Sequence, residues 1–539
     1  MTPYKDAGGT VFDDKTYAGT GTFPALDAAT SFPYTPVFRS EADKTVKVPA
    51  WLNDPTRYHN RGDSTFAGES SEYGDFVGLD DLFTEQPAVV DGMTDIYQQW
   101  VDFGIDGFRI DTVKHVNTEF WQTFSPAILA RAKAIGKKDF FMFGEVYDAR
   151  PSYMSEFTTK AKLPATLDFG FQAAAKDFAA GGATTGLRDL YAGDDYYTDT
   201  DSNAYQLPTF LGNHDMGRLS YLLRNGGITS SASLLKRVKL ANALMYLTRG
   251  QPIVYYGDEQ GFIGSGGDKA ARQDMFATRT PSYASEEVLG GASGSRDRFD
   301  ANAVLYRFIR KLAALRAANP GLTDGAQTHR YASSDAGVYA FSRVDRTSGI
   351  EYVVALNNAT TRKSATFATF NARERFSPLY GSKASARTDA DARLTVSVPA
   401  LSAVVYKART RVDRDARPAT VTMTSPQPGA VVGGRAEIAA SLSNNSFAQA
   451  TFWFRPVGTS KWQAIGTDDS APYRVFHDVS GYPAGTPLEY RTVAKDTSGR
   501  IRVDTTDGIG RPTPEGAHRD GVDFVAVLLI DRHGIKGGE

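Results

Sequence analysis

The sequence predicts an α/β protein built on a (β/α)8 barrel and continued by antiparallel β structure, and three observations carry that prediction. From about residue 85 to 320, helix-like patterns alternate with five short apolar runs, as parallel strands joined by helical crossovers do. Acidic residues recur at the C-terminal ends of these runs, at Asp111, Glu145, Asp215 and Asp258, the face on which such a barrel builds its site. Beyond residue 321 the apolar period changes from helix-like to strand-like.

Taken in order, residues 1–84 are rich in Gly, Pro, Asp and Thr with little periodicity, and read as a long irregular excursion. "VVDGMTDIYQQWV" then places Val89, Met93, Ile96 and Trp100 on one helical face. The run "GFRID" follows, then a helix carrying Phe120, Phe124 and Ile128, then "FFMFGE", "ATLDFGF", "LPTFLGNHD", a helix around "LLKRVKLANALMYL", and "QPIVYYGDE". A helix over 302–318, with Leu305, Phe308, Ile309, Leu312 and Leu315 inward, ends at the "NPG" of 319–321. Alternating runs such as "GVYAFSRV" and "EYVVALNN" make 321–408 a small antiparallel β domain, followed by a charged linker, "RTRVDRDARP", at 409–418. Short strands at regular spacing with turn signals then predict an immunoglobulin-like β-sandwich over 415–527. The end, "VAVLLIDRHGIKGGE", fits no strand pattern of that sandwich.

Composition narrows the function classes. The 539 residues carry 60 basic and 62 acidic side chains, without the basic excess of a nucleic-acid binder. There is no cysteine, which excludes disulfides, zinc–thiolate sites and thiol nucleophiles. No run of 18 apolar residues suggests a membrane span. The start, "MTPYKDAGGTVFDD", has neither the basic nor the apolar region of a signal peptide.

"DGFRIDTVKHV" at 106–116 concentrates Arg109, Asp111, Lys114 and His115 at one strand end. Two residues apart on a strand means the same face, so Arg109 can hold Asp111 ionised and oriented. By itself the pair reads equally as a structural ion pair, and His214 as a core histidine. "GFRIDTVKH" (107–115), "FGEV" (143–146), "LGNHD" (211–215) and "QPIVYYGDEQG" (251–261), in this order, resemble successive barrel-strand motifs of the alpha-amylase family of glycoside hydrolases. "GLDDL" (78–82) and "LPATLDF" (163–169) resemble two weaker motifs of that family. The resemblance covers roughly residues 1–407.

The resemblance implies a retaining hydrolase of α-1,4-glucosidic bonds in starch-like α-glucans, working through a covalent glycosyl-aspartate. In it Asp111 is the nucleophile, Glu145 the general acid/base with a raised pKa, and Asp215 the third carboxylate. Arg109 orients Asp111, His214 contacts the sugar in the cleaved subsite, and Lys114 and His115 contact sugars on the leaving-group side. Asp258, Glu259 and Asp168 are expected to be structural. Calcium is the implied metal, with Asp81, Asp75 and the backbone carbonyl of His115 as ligands. An alpha-glucosidase, a debranching or amylase–pullulanase relative, or an inactive carbohydrate-binding fragment are the alternatives. In the last, Trp453, Trp462, Tyr473 and Tyr482 of the sandwich would form a sugar platform.

One family motif is missing. Nothing before residue 107 resembles the third-strand motif ending in asparagine and histidine; "RYHNRGD" (57–63) carries His59 and Asn60 in reversed order. Residues 1–84 instead resemble the excursion between the family's third strand and third helix, so 85–320 is expected to hold strands four to eight of a barrel missing its first strands. Such a truncated chain is expected to fold poorly or to be inactive, since five strands do not close an eight-stranded barrel. A secreted, monomeric parent enzyme is implied, with an α-glucan as its partner and neither nucleic acid nor membrane.

Overall fold

The computed structural model describes residues 3–539 apart from 69, 77, 414–418, 444–446, 497–500, 505–526 and 531–539. Half of the 409–418 linker and most of the C-terminal stretch therefore lie outside the described residues; the linker's first residues end strand Ser402–Arg411. The chain forms two compact units, one of residues 1–148 and 153–167, the other of 149–152 and 168–539.

In the first unit the segment without periodicity is organised by rings rather than by regular structure. Phe83 is fully buried and packs against Tyr4 (4.8 Å between ring centroids), Phe23 (5.1 Å) and His59 (4.5 Å). A short antiparallel pair, Tyr4–Lys5 with Val11–Phe12, closes this cluster. Helix Pro87–Phe103 starts with proline at its first turn, where the missing N–H costs nothing, and packs on helix Thr118–Ala134. The second helix buries Phe120, Phe124 and Ile128 as its spacing predicts. The first departs from its predicted face at the last turn. Val89 and Val101 are buried, but Trp100 is 53% exposed with the Phe103 ring beside it. Strands Gly107–Ile110, Phe141–Gly144 and Ala165–Thr166 form a parallel three-stranded sheet in that order. Close approach of the first two requires Gly107, whose added Cβ would lie 2.3 Å from the carbonyl oxygen of Phe141.

In the second unit strands Pro208–Thr209 and Gln251–Pro252 pair in parallel. Helices Phe169–Ala180, Ser231–Leu247 and Val304–Ala317 share one apolar core with a β-sheet that follows. That sheet has six strands, ordered Ala386–Arg387, Arg375–Tyr380, Ser402–Arg411, Ile350–Asn357, Val338–Val344 and Ala326–Ala332. Its central strands are buried along nearly their whole length because both faces are covered. Tyr339, Phe341, Val354 and Leu356 join the helical core. The residues between them, Val338, Ala340, Val353 and Ala355, join a second core under the antiparallel pair Lys363–Ala368 and Arg393–Val398. This is the C-terminal antiparallel domain that the change of period predicts.

After residue 419, strands Val421–Ser425, Arg435–Leu442 and Tyr473–Asp478 form one sheet. Ala448–Pro456, Gln463–Asp468 and Leu488–Asp496 belong to another, and a common apolar core lies between the two. Tyr473 is buried in that core, and the Trp462 ring lies under the guanidinium groups of Arg455 and Arg491. The four aromatic residues therefore do not form the exposed row a sugar platform needs. Among the described residues no helix is long and apolar enough to cross a membrane.

Candidate active site

The first unit carries one carboxylate at the end of each of two adjacent parallel strands. Asp111 follows Gly107–Ile110 and Glu145 follows Phe141–Gly144. Two backbone hydrogen bonds lock these ends together: Glu145 N–H donates to Ile110 O (2.8 Å) and Val113 N–H to Glu145 O (3.1 Å). Between them Thr112 takes a left-handed backbone, φ 55°, which a β-branched residue rarely adopts. Such strain collects where surrounding structure fixes a functional turn. Gly144 makes room for this turn, since a Cβ there would sit 2.7 Å from the Val113 side chain.

Arg109 joins the two acids. Its Nη1 donates to Asp111 Oδ1, and its Nη2 lies 3.3 Å from Glu145 Oε1. Thr112 N–H also donates to Glu145 Oε2 at 3.5 Å. Their exposures differ: the Asp111 side chain is 59% exposed, that of Glu145 12%. One acid is open to a ligand and the other is set back beside it. Lys114 Nζ donates to the carbonyl of Tyr147 (3.0 Å), its ammonium 5.8 Å from that ring. His115 turns elsewhere. Its Nδ1–H donates to Ser71 O (2.7 Å), the ring packs edge-on to Phe76, and burial holds the imidazole below its usual pKa.

In the second unit Asp215 is held by its backbone. Asn213 Oδ1 accepts from the N–H of Asp215 and of Met216, both at 2.9 Å, a side-chain turn that asparagine favours. Asp268 N–H donates to Asp215 O (2.9 Å), which brings the glycine-rich loop 264–267 over it. A Cβ on Gly267 would lie 2.2 Å from that oxygen. His214 Nε2 stands 3.1 Å from Asp215 Oδ2, and Arg272 Nη2 3.4 Å from Oδ1. Arg272 escaped the sequence reading; the glycines ahead of it were its only local signal. Asp258 pairs with the fully buried Arg218 (2.7 Å) and burial pushes its carboxyl up to about 6. Asp168 caps helix Phe169–Ala180 through the N–H of Phe171 and pairs with buried Arg249. Both are structural here, as the sequence suggests.

The expected calcium ligands do not form a cage. Asp81 Oδ2 is taken by Nδ1 of His59 (2.7 Å), whose Nε2 meets Glu85 (3.0 Å). Burial alone would lower the His59 pKa, but Glu85 and Asp81 on either side raise it to about 9. Asp75 Oδ1 accepts the backbone N–H of Asp81 (2.8 Å), and burial together with Asp80, Asp81 and Asp63 raises its carboxyl. Among the described residues no group of three or more His, Cys, Asp or Glu side chains is arranged to hold a metal ion. One oxygen of Asp81 is thus taken by a buried imidazole and one of Asp75 by a backbone N–H, which leaves a metal at most the second oxygen of each. The reversed "HN" of 57–63 hid this role of His59.

The alpha amylase catalytic-domain family model matches residues 34–325, and a 2OG-Fe dioxygenase model matches 497–539, most of which lies outside the described residues. The chain is 51% identical over 523 residues to an alpha-amylase of Streptomyces lividans, covering 96% of this chain and 56% of that protein. It is 32% identical over 325 residues to a beta/alpha-amylase of Paenibacillus polymyxa, covering 58% of this chain and 23% of that one. The chain thus spans about half the length, or less, of these relatives. Among solved structures, an alpha-amylase from Anoxybacillus matches with TM-score 0.54 and 26% identity, over 68% of this chain and 73% of that one. An acarbose complex of an alpha-amylase from Geobacillus thermoleovorans matches with TM-score 0.54 and 26% identity, over 67% and 74%. A catalytic-domain match over more than half of these residues, in a sequence so close to an amylase over nearly its whole length, decides the kinship: the chain belongs to the alpha-amylase family.

Proposed function

We propose that this chain carries the catalytic machinery of a retaining glycoside hydrolase acting on α-1,4-glucosidic bonds of starch-like α-glucans. The observation that carries the reading is the single guanidinium of Arg109 spanning Asp111 and Glu145. The shared guanidinium keeps both carboxyl groups within one arginine's reach, as a retaining pair about 5–5.5 Å apart requires. The exposed Asp111 attacks the anomeric carbon as the bond to the leaving oxygen breaks, and Glu145 delivers a proton to that oxygen. Water then attacks the glycosyl-aspartate, giving its proton back to Glu145 and freeing Asp111. Asp215, assigned from its motif, grips sugar hydroxyls as the ring distorts, with His214 beside it. Lys114 serves the leaving-group side. His115, tied to Ser71, supports the excursion rather than touching sugar.

Residues 419–496 we read as most of an immunoglobulin-like sandwich, supported by two antiparallel sheets around one core. The natural setting of such an enzyme is outside the cell, where the polymer is. The test is proton NMR of soluble starch or maltooligosaccharide digests. Products first released with the α-anomeric configuration support the mechanism, and β-anomers overturn it. A spread of maltooligosaccharides supports internal cleavage; glucose alone points to an exo-acting enzyme.

A further inference from the structure

Within the second unit the sandwich meets the rest of the fold along a seam with two unlike ends. At one end Phe447 is buried in a small apolar cluster with Ala326, Val344 and Val412, its ring 5.9 Å from that of Phe370. At the other end the contacts are with segment 192–196. The Tyr196 and Phe476 rings stack with 4.0 Å between centroids. Arg435 donates to the carbonyls of Ser152 (2.9 Å) and Tyr196 (2.6 Å). Arg474 donates to the carbonyl of Ala192 (2.7 Å) and to Asp195 Oδ2 (2.7 Å). Apolar burial carries no proton, whereas the second end is built on groups that titrate.

Charge at that second end is unbalanced. Arg474 serves Glu437 (3.1 Å) as well as Asp195. Asp468, buried, forms no ion pair among the described residues and accepts the backbone N–H of Ser470 and of Arg474, both at 2.9 Å. One guanidinium therefore stands among three carboxyl groups. The neighbouring charges are taken up elsewhere: Asp194 by Arg249 (2.6 Å), Asp469 by Arg346 (2.6 Å) and the Tyr205 hydroxyl (3.0 Å), and Arg330 by Glu351 (3.2 Å). Burial and then Asp468 keep the adjacent Tyr473 hydroxyl neutral. Carboxylates crowded in this way do not all ionise without cost. Burial, with Asp194 and Glu437, raises Asp195 against the pull of Arg474; burial and Asp195 raise Asp468 against its two N–H donors. An acid whose pKa is raised on docking holds its proton more tightly docked than free. Docking is therefore fully supported below the ordinary carboxylate range, about 4, and loses support as pH rises through the raised values.

We propose that this seam is a pH-sensitive latch: the sandwich is closed on segment 192–196 at acidic pH, and as the pH rises that edge opens about the Phe447 cluster as its pivot. The chain has no cysteine, so a pair of spin labels can be placed without removing native thiols. Ala192→Cys and Ala471→Cys, at exposed positions on the two sides of the seam, are labelled in the full chain. Their separation is read by pulsed electron spin resonance at about pH 5 and about pH 9, on either side of the raised carboxyl values. A single short distance is expected at the lower pH and an additional longer population at the higher. Asp468→Asn in the labelled chain, which removes the carboxyl that has no cation, should abolish most of the longer population. Glu437→Gln, at a half-exposed position, should reduce it too, and decides the matter if Asp468→Asn does not fold. The same single distance at both pH values overturns the proposal. So does a longer population that persists undiminished in the variants. Hydrolysis is not the readout, so the latch is decided independently of the function proposed above.

Discussion

The two acidic corners of this protein are held by different means. Asp111 and Glu145 are gathered by a side chain, the fork of Arg109. Asp215 is gathered by backbone, through the turn at Asn213 and the glycine loop that presses on its carbonyl. A charged fork positions a nucleophile beside a proton donor, and it is sensitive to the loss of one contact. A backbone clamp fixes the main chain under Asp215 and leaves its carboxylate to His214 and Arg272, and it is sensitive to volume.

The comparison breaks most visibly at Asp111. Asp111→Ala should lower starch hydrolysis by about 10⁴-fold or more with little loss of melting temperature, read by reducing-sugar release beside a thermal scan. An active variant would remove the nucleophile from this corner. Arg109→Lys keeps the charge but not the fork. It should cost on the order of 10²-fold in kcat by misplacing both acids, and near-native kcat would mean the bridge does not position them. Gly267→Ala tests the other corner. A methyl group against the Asp215 carbonyl should destabilise by about 1–3 kcal/mol and reduce kcat, whereas an unchanged variant would show that the loop does not clamp Asp215.

The effect with the least bearing on catalysis lies in a region with neither corner. Burial holds the His477 imidazole of the sandwich down to about 4, beside the Tyr490 hydroxyl. The unfolded chain then binds the extra proton between pH 6.5 and 4, so stability falls as pH drops through that window and is fully present above it. The slope is at most roughly 1.4 kcal/mol per pH unit, and His477→Gln should flatten it in denaturant titrations without changing kcat. An unchanged slope would assign acid sensitivity elsewhere.

Much of the fold was legible because it is written in short-range pattern. The inward faces of the Thr118–Ala134 and Val304–Ala317 helices follow their 3.6-residue spacing. The strand-like stretch after 321 becomes the six-stranded sheet. The predicted runs at 207–215 and 251–259 shrink to two-residue strands, since apolar residues there serve turns and helix contacts as well as pairing. Trp100 sits at the right spacing for burial and is nonetheless exposed, because periodicity names a face but not how far along the helix a neighbour covers it.

The site divides in the same way. That acids stand at the ends of apolar runs, with Arg109 on the same face as Asp111, follows from sequence alone, because strand alternation and chain order are local properties. That Arg109 also reaches Glu145, 36 residues away, that His59 takes Asp81 from the expected calcium site, and that Arg272 faces Asp215 were decided only by tertiary structure. Each depends on bringing together distant segments whose side chains compete for the same partner, and that competition is settled by burial and geometry in three dimensions.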